Sequence, residues 1–247
     1  MPIITRATPK SPRRDLYAES AVLPPLESPN QFAALFEELC QELKPVGVLE
    51  EDQVATIAKL LWRKHQFKVF RVVEQARELL EEAHVQKPPV PVEKIARSLG
   101  IRLVFESLED VDVSGFYYRK GDQRLIGVNA THAPARRRFT IAHELGHAVL
   151  SAHDNLHVDR SFLLRDANSA RGVDRLEIEA NAFAAELLMP AEHLQRRLRD
   201  GVNLDDPNSF RQLADEFGVS TQALLIRLSN LPFILVGNDS WAAGANA

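Results

Sequence analysis

Five residues, His143-Glu144-Leu145-Gly146-His147, constrain this chain more than any other feature. Residues i and i+4 stand one above the other on one face of an α-helix. Two imidazoles so placed can ligate one tetrahedral zinc at roughly 2.0–2.1 Å each. Glu144 comes one residue later and points about 100° around the helix. It can reach a metal-activated water without becoming a ligand, which is what a general base needs. The pattern carries this meaning only on a helix, and the flanking sequence supplies one. Phe139, Ala142, Leu145, Ala148, Val149 and Ala152 form an apolar stripe with helical spacing, and Pro134 suits a first turn. Gly146 is unfavourable in mid-helix by roughly 1 kcal/mol against Ala, which predicts that another element packs closely there.

A catalytic zinc needs a third protein ligand and an open position. His153 has the spacing of an extended motif, but Leu150 stands where a turn-forming Gly is needed. The helix should simply continue, leaving His153 about 240° around the axis from His147 and facing away. Glu177 lies on a second strong helix, Leu176 to Met189, stopped by Pro190. Its row reads Glu177, Asn181, Ala184, Leu188 and adjoins the apolar row Leu176, Ala180, Phe183, Leu187. A carboxylate beside a buried face needs a partner or a metal. The competing reading is a capping box, Asp174-x-x-Glu177. Glu179 shares a row with Glu186 and His193, which reads as a solvated face. The pattern favours Glu177 as the ligand, with Asn181 one turn on as a group that holds a ligand imidazole.

The run R-R-R-F-T-I-A-H-E-L-G-H-A-V-L, followed after a polar insert by E-I-E-A-N-A-F-A-A-E-L-L-M-P, resembles the ImmA/IrrE family of metallopeptidases. Weaker blocks at Val90–Leu103 and Phe210–Leu228 fit its opening and closing elements, so the resemblance spans about residues 88–235. It implies a zincin-like fold with His143, His147 and Glu177 as zinc ligands and Glu144 as catalytic base. It further implies a site-specific protease acting on a helix-turn-helix transcriptional repressor in phage, mobile-element or stress regulation.

The rest of the chain sets the frame. The 247 residues suit one or two domains. A net charge of −4 gives no electrostatic footprint for nucleic acid. Cys40 is the single cysteine, so no internal disulfide forms, as suits a reducing cytoplasm. The start lacks an apolar signal core and no run approaches a membrane span. Residues 1–27 read as a flexible arm and 28–87 as a helical region. The metallopeptidase domain follows at 88–235 and a tail at 236–247. The helical region divides at Pro45, with a break near His65 in its longer second part.

After the boundary Lys87-Pro-Pro-Val-Pro91 come a short helix ending at Gly100, a strand at Ile101–Phe105, and two strands joined by a turn at Lys120–Asp122. The expected class is α+β: a mainly helical domain with a small sheet, preceded by helices. The polar stretch 154–173 reads as a loop, with His157 and Asp159 solvated. Besides zinc, Tyr117, Tyr118 and Arg138 are candidates to stabilise an oxyanion. A rival reading makes Leu213–Leu228 a helix-turn-helix in a DNA-binding regulator, with zinc as structure or sensor. Its second helix offers Arg227 as the sole cation, where phosphate binding wants several.

Overall fold

The computed structural model describes residues 29–107, 113–150, 156–160 and 173–231. The regions read as an arm (1–27) and a tail (236–247) lie outside these, as do His153 and most of 154–173. The described chain falls into two compact units, one of residues 29–67 with 230–231 and one spanning Lys68–Ser229.

The first unit holds α1 (Pro29–Leu43) and the opening part of α2 (Val48–Glu82). Phe32, Phe36 and Cys40 repeat every fourth residue on α1, and Val54, Ala55, Ala58 and Trp62 answer them from α2. Phe32 meets Trp62 edge to face at 6.0 Å. Cys40 serves as a small apolar filler in this core. The helices part at Pro45, which follows Lys44 at φ 47° and precedes Gly47 at φ 85°. The break suggested near His65 does not occur, and α2 runs unbroken for 35 residues. No Gly or Pro interrupts it, and the His65 ring packs beside Trp62 at 6.0 Å.

In the second unit, α3 (Val92–Ser98) ends at Leu99, before Gly100 at φ 72°. Strands β1 (Arg102–Glu106), β2 (Val113–Lys120) and β3 (Gln123–Asn129) follow. β2 and β3 form an antiparallel hairpin turning at Gly121, and β1 adds to β3 in parallel. A fourth strand, β4 (Leu156–Arg160), pairs antiparallel with β2 to complete the order β1-β3-β2-β4. This corrects the reading of the polar stretch as loop at Leu156–Arg160, while residues 161–172 lie outside the described residues. Leu156 and Val158 do alternate with polar residues, but five residues at a sheet edge give too short an alternation to stand out.

Between β3 and β4 runs α4 (Pro134–Leu150), which carries both histidines and rests on the sheet. A Cβ on Gly115 of β2 would lie 2.4 Å from the Thr140 methyl, so the bare backbone there lets helix and sheet touch. The second long helix, α5 (Val173–Leu188), packs along α4. At Gly146 the two backbones come close, since its Cβ would sit 3.1 Å from Ala180 Cα and 3.2 Å from Ala180 O. This is the close packing that a mid-helix glycine implied. Gly146→Leu should therefore lower stability by about 1–3 kcal/mol through overpacking. Chemical denaturation measures it, and an unchanged midpoint would show that the helices have room to spare.

Beyond Pro190 come α6 (Ala191–Arg199), α7 (Pro207–Phe217) and α8 (Thr221–Ser229). Asp206 caps α7, accepting from the Asn208 and Ser209 amides at 3.2 and 3.1 Å. A hydrogen bond from the Ser209 hydroxyl, together with these two, holds its carboxyl below the usual range. The row read as solvated is not solvated: Glu179 and Glu186 are both buried. Lys68 lies 3.7 Å from Glu179. Glu186 accepts from Arg77 Nε at 2.9 Å, from the Arg227 guanidinium, and from the Ala191 amide at 3.3 Å. His193 Nε2 donates to the Gln86 carbonyl at 3.0 Å. These partners are remote in sequence, so the local pattern could not reveal them. Glu186→Ala would leave the Arg227 charge buried without its counter-ion, lowering stability by about 3 kcal/mol. Thermal or urea unfolding measures this, and a loss below about 1 kcal/mol would mean that water solvates the arginine.

Candidate metal centre

Helix α4 sets His143 and His147 one turn apart, with their imidazole rings 4.7 Å apart edge to face. Helix α5 brings Glu177 to them from the other side. His143 Nε2 lies 3.0 Å from His147 Nε2, and the Glu177 oxygens reach these nitrogens at 3.3 Å each. All three side chains are buried. Among the described residues, this is the group of His, Cys, Asp or Glu side chains able to hold a metal ion.

The geometry can be tested against an ion. Tetrahedral ligands with bonds of roughly 2.0–2.1 Å lie about 3.3 Å from one another. The two nitrogens lie 3.0 Å apart and each lies 3.3 Å from a Glu177 oxygen, Oε2 for His143 and Oε1 for His147, so every pair of neighbours is near that spacing. Donor chemistry agrees. The His143 Nδ1 lies 2.9 Å from the Asn181 amide oxygen. An amide oxygen only accepts, so Nδ1 carries the proton and Nε2 turns a lone pair toward the cluster. Two imidazoles and one carboxylate suit zinc or a similar first-row divalent ion better than calcium or magnesium, which favour all-oxygen sites. Three protein donors leave a fourth position open.

Glu144, on the same turn of α4, is fully buried. Phe139, one turn before His143, stacks on its ring at 6.4 Å. Of the other candidate ligands, Glu179 lies beside Lys68 and outside the cluster, and His153 lies outside the described residues. Asp174 falls inside α5 instead of preceding it. His157 and Asp159 sit on β4.

The oxyanion candidates separate. Tyr117 is 2% exposed and Tyr118 half-buried. Arg138 donates to the Gly218 carbonyl at 3.1 Å and the Val90 carbonyl at 2.7 Å, tying α4 to the segments before α3 and after α7. Burial lowers its pKa, against the opposing pull of Glu93. Three consecutive arginines, Arg136–Arg138, have the local pattern of a solvated basic face. The partners of Arg138 are backbone carbonyls far along the chain, which no side-chain pattern betrays. In the helix-turn-helix-like segment, Arg227 donates to Glu186 and to the Met189 carbonyl. The sole cation of α8 is thus held inside the fold.

Comparison with known proteins bears on the same elements. The Peptidase_M78 family model, an IrrE N-terminal-like domain, matches residues 96–229, which take in α4 and α5. The radiation response metalloprotease IrrE of Deinococcus radiodurans is 38% identical over 80 residues, covering 30% of this chain and 23% of that protein. Its namesake in Deinococcus deserti is 40% identical over 97 residues, covering 38% and 31%. The uncharacterized immunity region protein 2 of Bacillus phage phi105 is 34% identical over 95 residues, covering 38% and 56%. The chain therefore spans between about a quarter and a little over half of these relatives. Among solved structures, a Mycobacterium tuberculosis transcriptional regulator aligns with a TM-score of 0.44 at 20% identity, over 65% of this chain and 46% of that one.

Proposed function

Because this chain belongs to the Peptidase_M78 family of IrrE N-terminal-like domains, we propose that it is a zinc-dependent endopeptidase that cuts a helix-turn-helix transcriptional repressor. The observation that carries the metal-dependent chemistry is the convergence of the His143, His147 and Glu177 donor atoms at tetrahedral spacing. In this reading those three side chains hold the ion and Asn181 fixes the tautomer of His143. Bound zinc supplies Lewis acidity toward water and toward a substrate carbonyl. Glu144 takes the proton from the attacking water and returns it to the leaving amine nitrogen. Its burial, and that of the histidines, keeps bulk water from screening these charges.

The repressor as substrate rests on the family resemblance. It is supported by relatives named as a phage immunity region protein and as radiation response metalloproteases. A cytoplasmic setting fits such a substrate. No helix among the described residues is long and apolar enough to cross a membrane. The DNA-binding alternative is disfavoured because Arg227 is engaged with Glu186.

The test offers purified helix-turn-helix repressors encoded beside this chain to the zinc-loaded protein and maps products by mass spectrometry. One cut in one repressor, absent with Glu144→Gln and with a chelator, is the expected result. No cut in any repressor, with a generic unfolded protein cleaved instead, would retain the peptidase and reject the substrate.

A further inference from the structure

The outer face of α2 in the first unit is apolar and exposed. Leu49, Ile57, Leu60 and Phe67 are 75, 42, 61 and 62% exposed, although each is large and hydrophobic. At 100° per residue, Leu49 and Phe67 share one angle, with Leu60 about 20° away and Ile57 about 80°. The stripe is about 27 Å long at 1.5 Å per residue. It lies opposite Val54, Ala58 and Trp62, the face that packs on α1. Asp52 and Arg63 border it on one side, Lys64 and Glu50 stand at about 60° and 100° on either side of Ile57 at the other, and all four are exposed.

From this arrangement we infer that α2 is the homodimerisation surface of the chain, pairing antiparallel with α2 of a second copy about a two-fold axis near Ile57. The charges select both the partner and the register. In an antiparallel pair, like flanks meet. An axis between residues 57 and 58 sets Asp52 beside the second copy's Arg63 and Glu50 next to its Lys64. Leu49 then meets Phe67, and Ile57 and Leu60 close the centre. One axis thus satisfies both flanks and the apolar seam. A parallel pair would bring unlike flanks together, setting Asp52 against the second copy's Glu50 and Arg63 against its Lys64, which is unfavourable. A patch complementary to itself under a two-fold rotation is the signature of an isologous interface.

Sedimentation velocity of the full chain across micromolar concentrations tests this. A monomer–dimer equilibrium is expected, weakened at least about tenfold by Leu60→Glu, which places a charge in the seam. Arg63→Asp should weaken it too, and Asp52→Arg with Arg63→Asp should restore it. These exposed positions leave the circular dichroism spectrum unchanged. Ile57→Cys should form a disulfide-linked dimer under mild oxidation, while Leu49→Cys should not. A chain that stays monomeric throughout overturns the inference. If Leu60→Glu also lowers the melting temperature of such a monomer, the chain's own terminal residues cover the face instead. A dimer indifferent to Leu60→Glu and to charge reversal places the interface elsewhere.

Discussion

Glu144→Gln is expected to leave the fold and the bound metal intact while lowering peptide-bond hydrolysis by about 10²–10⁴-fold, the range for loss of a positioned general base. Gln matches Glu in size and fits the same buried place on α4, but its amide cannot take up a proton at neutral pH. The defect should therefore fall on kcat, with little change in KM, because substrate binding does not require that proton transfer. Steady-state kinetics on a cleaved repressor, with zinc stoichiometry measured on the same sample, separates the outcomes. Loss of zinc together with activity would mean that Glu144 helps to hold the ion. Full activity in the variant would remove Glu144 from the chemistry.

Glu177→Ala is expected to weaken zinc binding by more than about 100-fold, beyond the 10–100-fold typical of losing a group that only supports a ligand. The side chain is buried between His143 and His147 at 3.3 Å from each nitrogen, so nothing of similar charge can take its place without repacking α5. Asn181→Ala provides an internal scale. It removes the oxygen that fixes the His143 tautomer, and its effect should lie in that 10–100-fold range. Competition with a chromophoric chelator gives both affinities. Equal losses in the two variants would mean that Glu177 also acts only through the histidines.

How much of this was legible in the sequence depended on how local the cause was. The spacing of His143 and His147 is fixed by helix geometry alone, so their pairing could be read directly. Glu177 was harder to single out, because α5 carries Glu177, Glu179 and Glu186. Its position beside the apolar row separated it from Glu179, and the structure brings it within 3.3 Å of both histidines. The same periodic logic failed for Glu179 and Glu186. Arg227 accompanies Glu186 into the interior while Lys68 and Arg77 reach the two carboxylates from nearer the surface, and all three partners come from other helices. Gly146 announced a close approach through its unfavourable helix propensity, without saying which helix approaches. The strand β4 escaped notice because pairing with β2, rather than any strong pattern of its own, makes it a strand. Arg138, a candidate to stabilise an oxyanion by sequence, is engaged instead with backbone carbonyls, which no side-chain pattern reveals.

The most direct test of the central claim is an anomalous difference map recorded on either side of the zinc absorption edge, from crystals grown with zinc and without chelator. A single peak present only above the edge, about 2.0–2.2 Å from His143 Nε2, His147 Nε2 and a Glu177 oxygen, is the expected result. No peak among these atoms, or a peak held by other side chains, would contradict it.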